Sequence, residues 1–594
     1  MNSKTTLLSL TTLLSFNVFF GQTPTLDPAE SVKVPLGYEW ILTPNMSDEF
    51  DSPPTTMAPE AYESTAVLDA TKWNDQLAHW DGRPPAEFLP ENIFLEGGKL
   101  HIKNRPHPTP TAKFTIGAGA VESKDAQTYG YFESKMKASR VRMSSTFWIN
   151  SQSVKSGDPD LIIPATETDS DGKTYTGCDG YGTEIDIIEC MGGGDTWPTW
   201  MVNSGLTWDV TMASNTHFKR KRKLDTSGSF CNDKYVSAGK GAFIDGVGAT
   251  NVADDYHVYA AWWKNANIVH YYIDGKLVNT VDIRDDYHNH PFNVPMAIRM
   301  VTETYNWQVT KDAAGNIINE HPGYPDPTDT DPLAELNNPA INTTHYDWTR
   351  TYSLKKTAQN LVSNGDVENG TPITGAWTSW GAAGNVTFSE VGGEKYTNAK
   401  GVKIIGGGGL EQVINVAPNT EYVYTVMAKK ISGNTKIGMK EPSVNVNISA
   451  VTPIISNEFK EYTVEFNSGA RTQVKLFAFG SPGDSAILDN FSVLTKAQYL
   501  ALRPDAVLSE DLVQVSDSDT YIHTYGNTIE IGISNYQSTG KIEIYSLAGK
   551  LVYEELDANL SSKVVQTTLK SGVYVLKLTL SNGQKINKKV ILNL

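Results

Sequence analysis

Hydrophobic and polar residues alternate in short runs along most of the chain. Gly130-Tyr-Phe-Glu-Ser-Lys-Met-Lys-Ala, Ile268-Val-His-Tyr-Tyr-Ile-Asp-Gly-Lys-Leu-Val and Asp347-Trp-Thr-Arg-Thr-Tyr each repeat with period two. Gly, Asn or Asp punctuates them, the pattern of half-buried strands joined by turns. No long segment carries the 3.6-residue period of an amphipathic helix, so an all-β, antiparallel β-sandwich is predicted rather than α/β. From Asn360 to Ile487-Leu-Asp-Asn-Phe-Ser-Val, strand-like runs continue for about 135 residues, enough for a second β-sandwich. A small third β-sandwich is predicted from Ile529-Glu-Ile-Gly-Ile, Lys541-Ile-Glu-Ile-Tyr-Ser, Gly572-Val-Tyr-Val-Leu-Lys-Leu and Gln584-Lys-Ile-Asn-Lys-Lys-Val-Ile.

Composition places the borders. Eleven of the 13 tryptophans fall between Trp40 and Trp348, Trp377 and Trp380 follow, and none comes later. Lys4 precedes an apolar stretch from Leu7 to Phe20 that ends at Gly21-Gln22, which reads as a signal peptide. At about 14 residues the stretch falls short of the roughly 20 that span a bilayer. The expected organisation is a signal peptide at 1–21, domains at 22–355 and 356–496, a linker at 497–511 and a third domain at 512–594. The mature chain is expected to be exported, soluble, without a transmembrane segment, and monomeric.

Charge narrows the partners. With 67 acidic against 50 basic residues, the formal charge is -17. That excludes a general nucleic-acid or anionic-membrane binder, because such proteins gain affinity from a net positive field. An anionic ligand must therefore meet a local basic patch, and Lys219-Arg-Lys-Arg-Lys is one, unless it is simply a solvated loop. The three cysteines are Cys178, Cys190 and Cys231. Cys178 and Cys231 lie in Gly/Asp-rich sequence and are the expected pair, the alternative being three free thiols.

The segment Thr183-Glu-Ile-Asp-Ile-Ile-Glu-Cys places three carboxylates within a strand pattern. In a regular strand Glu184 and Asp186 share a face and Glu189 points to the other. A bulge at Ile187-Ile188 returns Glu189 to the face of its neighbours. Three carboxylates in a row cannot all ionise cheaply, so one should hold its proton near neutral pH. A protonated and an ionised carboxyl facing one sugar are what a retaining glycosidase requires. A solvated acidic strand face or a cation site would also accommodate the spacing.

The flanking strands narrow that choice. Glu184-x-Asp186-x-x-Glu189, with Tyr129-Gly-Tyr-Phe-Glu-Ser-Lys-Met-Lys, Ser144-Ser-Thr-Phe-Trp-Ile, and Tyr256-His-Val-Tyr through Tyr271-Tyr-Ile-Asp-Gly-Lys, resembles glycoside hydrolase family 16 from about Val34 to Leu354. The resemblance implies a two-sheet jelly roll with a sugar-binding cleft, Glu184 as nucleophile, Glu189 as general acid/base, and Asp186 tuning the pair. No cofactor is implied for catalysis. Trp80-Asp-Gly-Arg-Pro-Pro, Glu189-Cys, Ser214-Asn-Thr-His-Phe and Glu303-Thr-Tyr-Asn-Trp resemble the red-algal galactan branch, β-porphyranases and β-agarases. On that reading Trp80 offers a stacking plane and Arg83 a fork for sulfate, as porphyran requires. Core packing for Trp80 and a surface ion pair for Arg83 are the alternatives. The resemblance puts Trp148 beneath the sugar beside the scissile bond, with His217, Glu303 and Trp307 further along the cleft. It also implies a structural calcium ion at Glu49, the Gly98 carbonyl and Asp347.

The segment opened by Asn364-Gly-Asp-Val-Glu368 resembles a carbohydrate-binding jelly roll, and no site is assigned to its Trp377 or Trp380. The C-terminal strands, from Ile544-Tyr-Ser-Leu-Ala-Gly-Lys-Leu-Val onward, resemble the C-terminal sorting domain of type IX secretion, which implies that machinery as a partner.

Overall fold

Alternation along the chain becomes two stacked sheets whose facing sides are apolar. In this computed structural model, the described residues are 23–31, 33–51, 68–77, 80–151, 166–168, 172–176, 180–193, 206–221, 230–283, 292–305, 310–311, 317–319, 330–369, 376–390, 393–503, 520–525, 528–533, 539–546, 550–560, 563–580 and 585–592. The chain divides into two compact units, one of residues 1–418 with 424–493, the other of 419–423 with 494–594.

The first unit contains the predicted jelly roll. One of its sheets has seven strands in the order Phe230–Phe243, Thr211–Lys221, Gly180–Cys190, Ser144–Asn150, Met296–Glu303, Ala120–Gln127 and Trp73–Asn74. The facing sheet has eight strands and is built around Gly130–Lys137 and Thr343–Lys356, which pair antiparallel. Between the two lies a core that includes Phe132, Met136, Phe147, Ile149, Ile185, Ile188, Tyr259, Trp263 and Met300, all fully buried or nearly so. Every second residue of the seven-stranded sheet feeds that core, which leaves the alternate residues to form the cleft.

Two five-stranded sheets follow between Thr378 and Thr495, within the first unit apart from the ends of Glu421–Ser432 and Ser485–Thr495. In the second unit, Leu551–Asn559, Thr539–Ser546, Gly572–Leu580 and Lys585–Leu592 form a four-stranded sheet. It shares a core with a three-stranded sheet through Ile529, Ile531, Ile542, Leu576 and Leu578. Among the described residues no helix is long and apolar enough to cross a membrane. Cys190 is a buried free thiol, while Cys178 and the side chain of Cys231 lie outside the described residues.

Candidate active site

The strand Gly180–Cys190 is flanked by two partners, and both register with it irregularly at the same place. Against Ser144–Asn150, Asn150 faces Glu184, Trp148 faces Asp186 and Thr146 faces Glu189, with a shift between Phe147 and Trp148. Against Thr211–Lys221, His217 faces Glu184, Asn215 faces Asp186 and Ala213 faces Glu189, with a shift between Asp186 and Glu189. Ile187 and Ile188 thus oppose one residue, Ser214, whose hydroxyl donates to the Ile187 carbonyl at 2.8 Å. This is the bulge the sequence demanded: both isoleucines enter the core and Glu184, Asp186 and Glu189 share the cleft face.

Directly opposed residues in an antiparallel sheet point the same way, so the cleft floor can be read in rows. One row holds Asn150, Glu184 and His217, the next Arg299, Trp148, Asp186 and Asn215, and the third Val301, Thr146, Glu189 and Ala213. Asn150 Nδ2 donates to Glu184 Oε2. His217 Nε2 sits 2.9 Å from Asp186 Oδ2 and 3.8 Å from Glu184 Oε1. Donor atoms of Glu184, Asp186 and His217 all lie within 4.8 Å of one another.

The third carboxylate has different surroundings. Tyr305 donates its hydroxyl to Glu189 Oε1 at 2.6 Å. Burial, and after it the negative charge of Asp186, pushes the Glu189 carboxyl up to about 8, even though the Tyr305 hydrogen bond and His217 pull it down. One carboxyl of the row is therefore a proton carrier at neutral pH, held by the Tyr305 hydroxyl from just beyond the strand Met296–Glu303.

Aromatic and cationic side chains continue the cleft. Half-buried Trp80 meets Phe88 edge-on at 5.0 Å and Trp148 at 6.5 Å. Trp148 is only 7% exposed, and the Arg299 guanidinium stands 5.0 Å from its ring centroid, itself bound to Glu122 at 2.7 Å. Arg83 Nε donates to Glu303 Oε2 at 2.6 Å, and its guanidinium lies 5.4 Å from the ring centroids of both Trp80 and Tyr305. Burial raises the Glu303 carboxyl, and Arg83 opposes that rise. Arg83 is thus in the cleft wall, paired with a carboxylate that the sequence reading had placed separately.

Trp307 lies outside the described residues, as do the side chains of Lys219, Arg220 and Lys221 and all of Arg222 and Lys223. Three side chains of the site had no assigned role in the sequence reading: Asn150, Arg299 and Tyr305. Asn150 is two residues beyond Trp148 and Tyr305 two beyond Glu303, so the period of the strand was the available signal.

The residues expected to hold calcium do not fit that ion as they are arranged. Arg350 grips both oxygens of Glu49 at 2.7 and 2.8 Å. Lys99 and Lys135 each hold one oxygen of Asp347, at 2.6 and 2.7 Å. Both carboxylates already have their countercharge, and two ammonium groups beside Asp347 would repel a divalent cation.

Known proteins are similar to this chain in sequence over the same region. The family model described as beta-porphyranase A-D, GH16 domain, matches residues 40–354. Beta-porphyranase B of Zobellia galactanivorans is 34% identical over 311 residues, 52% of this chain and 88% of that protein. Beta-porphyranase B of Phocaeicola plebeius is 32% identical over 337 residues, 54% of this chain and 87% of that one. An extracellular agarase of Streptomyces coelicolor matches at 25% identity, over 53% of this chain and 83% of its own. Residues 526–593 match the secretion system C-terminal sorting domain, so the chain is an extracellular protein, secreted or held at the outer surface. With its carboxylate strand inside the matched region, this chain belongs to glycoside hydrolase family 16, in the beta-porphyranase A-D group, and is a glycoside hydrolase.

Proposed function

We propose that the protein is a secreted endo-hydrolase that cleaves β-1,4 galactosidic bonds of the sulfated red-algal galactan porphyran with retention of anomeric configuration. The observation that carries this reading is the bulge at Ile187-Ile188, which aligns Glu184, Asp186 and Glu189 in one cleft. Glu184 attacks the anomeric carbon, oriented by Asn150 and His217. Glu189, protonated because its pKa is raised, gives its proton to the leaving oxygen and then, as a carboxylate, activates the water that hydrolyses the glycosyl-enzyme. Asp186 holds His217 and keeps Glu189 protonated through its charge. The nucleophile and the proton both come from carboxyl groups of the chain, so the chemistry calls for no cofactor.

Substrate choice rests on the cleft wall. Trp80 and Trp148 are proposed to stack on sugar rings, and Arg83, whose side chain is 26% exposed beside Trp80, to offer a guanidinium edge to a sulfate ester while it holds Glu303, a contact that neutral agarose would leave unused. The two curated relatives of highest identity described above are porphyranases. His217, Glu303 and Trp307 are proposed to contact sugars along the cleft. The protein is proposed to act as a monomer. The domain borders at 355, 496 and 511 are proposed as read from the sequence, and the separate sheet sets before Lys356, from Thr378 to Thr495 and after Thr520 support them.

Reducing-sugar release from porphyran, agarose and desulfated porphyran tests the proposal. Porphyran should be cleaved fastest and Glu184→Gln should abolish hydrolysis. Full activity in Glu184→Gln would remove the mechanism, and faster cleavage of agarose would make the enzyme an agarase.

A further inference from the structure

The middle β-sandwich carries a second built surface, away from the carboxylates. Four of its strands, Thr378–Trp380, Gly408–Asn415, Gln473–Gly480 and Lys436–Lys440, pair antiparallel in that order. Their register aligns Trp380, Gly409, Phe479 and Lys436 in one row. Thr378, Glu411, Phe477 and Gly438 form the next row, and Val413, Lys475 and Lys440 the third. These are alternate residues of each strand, so they share one face. The residues between them, Leu410, Leu476, Ala478, Ile437 and Met439, are buried and make the sandwich core. The aromatic and charged face is the outer one, and it floors a groove of about 670 Å³ whose wall includes Glu441, Asn445 and Asn447.

Two glycines shape that floor. A Cβ at Gly409 would lie 2.3 Å from Trp380 Cζ2, and one at Gly438 would lie 2.6 Å from Phe477 Cζ. Their absence lets both rings lie across the neighbouring strand. The Trp380 and Phe479 rings are parallel within 12°, with centroids 6.4 Å apart, and both are partly exposed. The other tryptophan of this region, Trp377, is buried and donates Nε1 to the Asn364 carbonyl, so it plays no part in the groove.

Charge is arranged around the rings. Lys440 and Lys475 both hold Glu411, at 2.7 and 2.8 Å, and Lys440 Nζ stands 5.0 Å from the Trp380 centroid. Arg471 neutralises Glu441. Lys436 is exposed and has no ion pair among the described residues. Three lysines against two glutamates leave the groove positive on a chain whose net charge is -17.

We propose that this face of the middle domain binds a sulfated galactan chain, with pyranose rings stacked on Trp380 and Phe479 and a sulfate ester paired with Lys436. The groove itself specifies sugar rings and anions, and the choice of a galactan rests on the substrate proposed above. Linked to the cleft, it would raise the local concentration of polymer at the active site.

The test uses the full chain carrying Glu184→Gln, so that substrate is not consumed, and measures retardation in gels containing porphyran or agarose. Adding Trp380→Ala should weaken porphyran binding about 10-fold, the loss expected for an aromatic anchor. Lys436→Gln, an exposed change that disturbs no packing, should weaken it several-fold and reduce its salt dependence. In the active chain, Trp380→Ala should lower the rate on polymeric porphyran and leave kcat/KM on short oligosaccharides unchanged. Unchanged retardation in both variants overturns the site. Equal binding of agarose and porphyran, with no effect of Lys436→Gln, overturns the sulfate contact. Hydrolysis by the chain with Glu184 intact is read separately, so failure of the porphyranase assignment and failure of this site give different results.

Discussion

Removing one hydroxyl, that of Tyr305, should move the alkaline limb of the pH–rate profile upward. The Tyr305 hydroxyl donates to Glu189 Oε1 at 2.6 Å in a buried setting. A hydrogen bond to a carboxylate favours its charged form, so Tyr305 holds Glu189 below the value that burial and Asp186 alone would give. Such bonds contribute about 1.5–3 kcal/mol. One pKa unit corresponds to about 1.4 kcal/mol, so losing the bond should raise Glu189 by roughly 1–2 units. Glu189 must be protonated to start the reaction, and kcat/KM therefore falls as pH rises through its pKa, about 8 in the native chain. In Tyr305→Phe the descending limb should move to about 9–10. The phenyl ring that remains keeps the edge contact with Trp208 and the stacking partner of Arg83. Initial rates on porphyran across the pH range, for both proteins, provide the assay. A limb that stays in place or moves down would refute the assignment of Glu189 as the acid or of Tyr305 as its donor.

Three further outcomes follow from the same geometry. Deleting Ile187 removes the extra residue and leaves Glu184, Asp186 and Glu189 in strict alternation on the cleft face, so hydrolysis should survive at a reduced rate, whereas Ile187→Val should keep kcat within a few-fold and cost about 1 kcal/mol of stability in denaturant titrations. Arg83→Ala leaves buried Glu303 without its cation, and kcat/KM on porphyran should fall about 100-fold, the equivalent of roughly 3 kcal/mol. If Asp347 binds its two lysines and no calcium, adding or chelating calcium should leave the Tm difference between the native chain and Asp347→Asn unchanged, whereas a bound ion at about 100 times its Kd would contribute about 2.7 kcal/mol that only the native chain could lose.

The β-sandwich and the bulge were legible because both are consequences of period. The odd step of three positions from Asp186 to Glu189 forces a choice between a carboxylate in the core and an extra residue in the strand, and burial cost decides it. Asn150 and Tyr305 were accessible by the same alternation, counted two residues on from Trp148 and Glu303. The pairing of Arg83 with Glu303 was not, because 220 residues separate them and only the folded sheet brings them together. The lysines at Asp347 were hidden for a similar reason: Lys135 stands beside Asp347 only through the register of Gly130–Lys137 with Thr343–Lys356. The sequence shows the spacing of acidic residues, whereas the cations that neutralise them come from other strands. In the middle domain, the indole of Trp380 lies over Gly409 through strand pairing rather than through nearness in the chain.

Proton NMR of porphyran during its first minutes of hydrolysis tests the central claim most directly. If Glu184 forms a glycosyl-enzyme and Glu189 then activates water on the same face, the new reducing ends appear as the β-anomer and reach equilibrium only later by mutarotation. First appearance of the α-anomer would mean that water attacks directly, and would contradict the account.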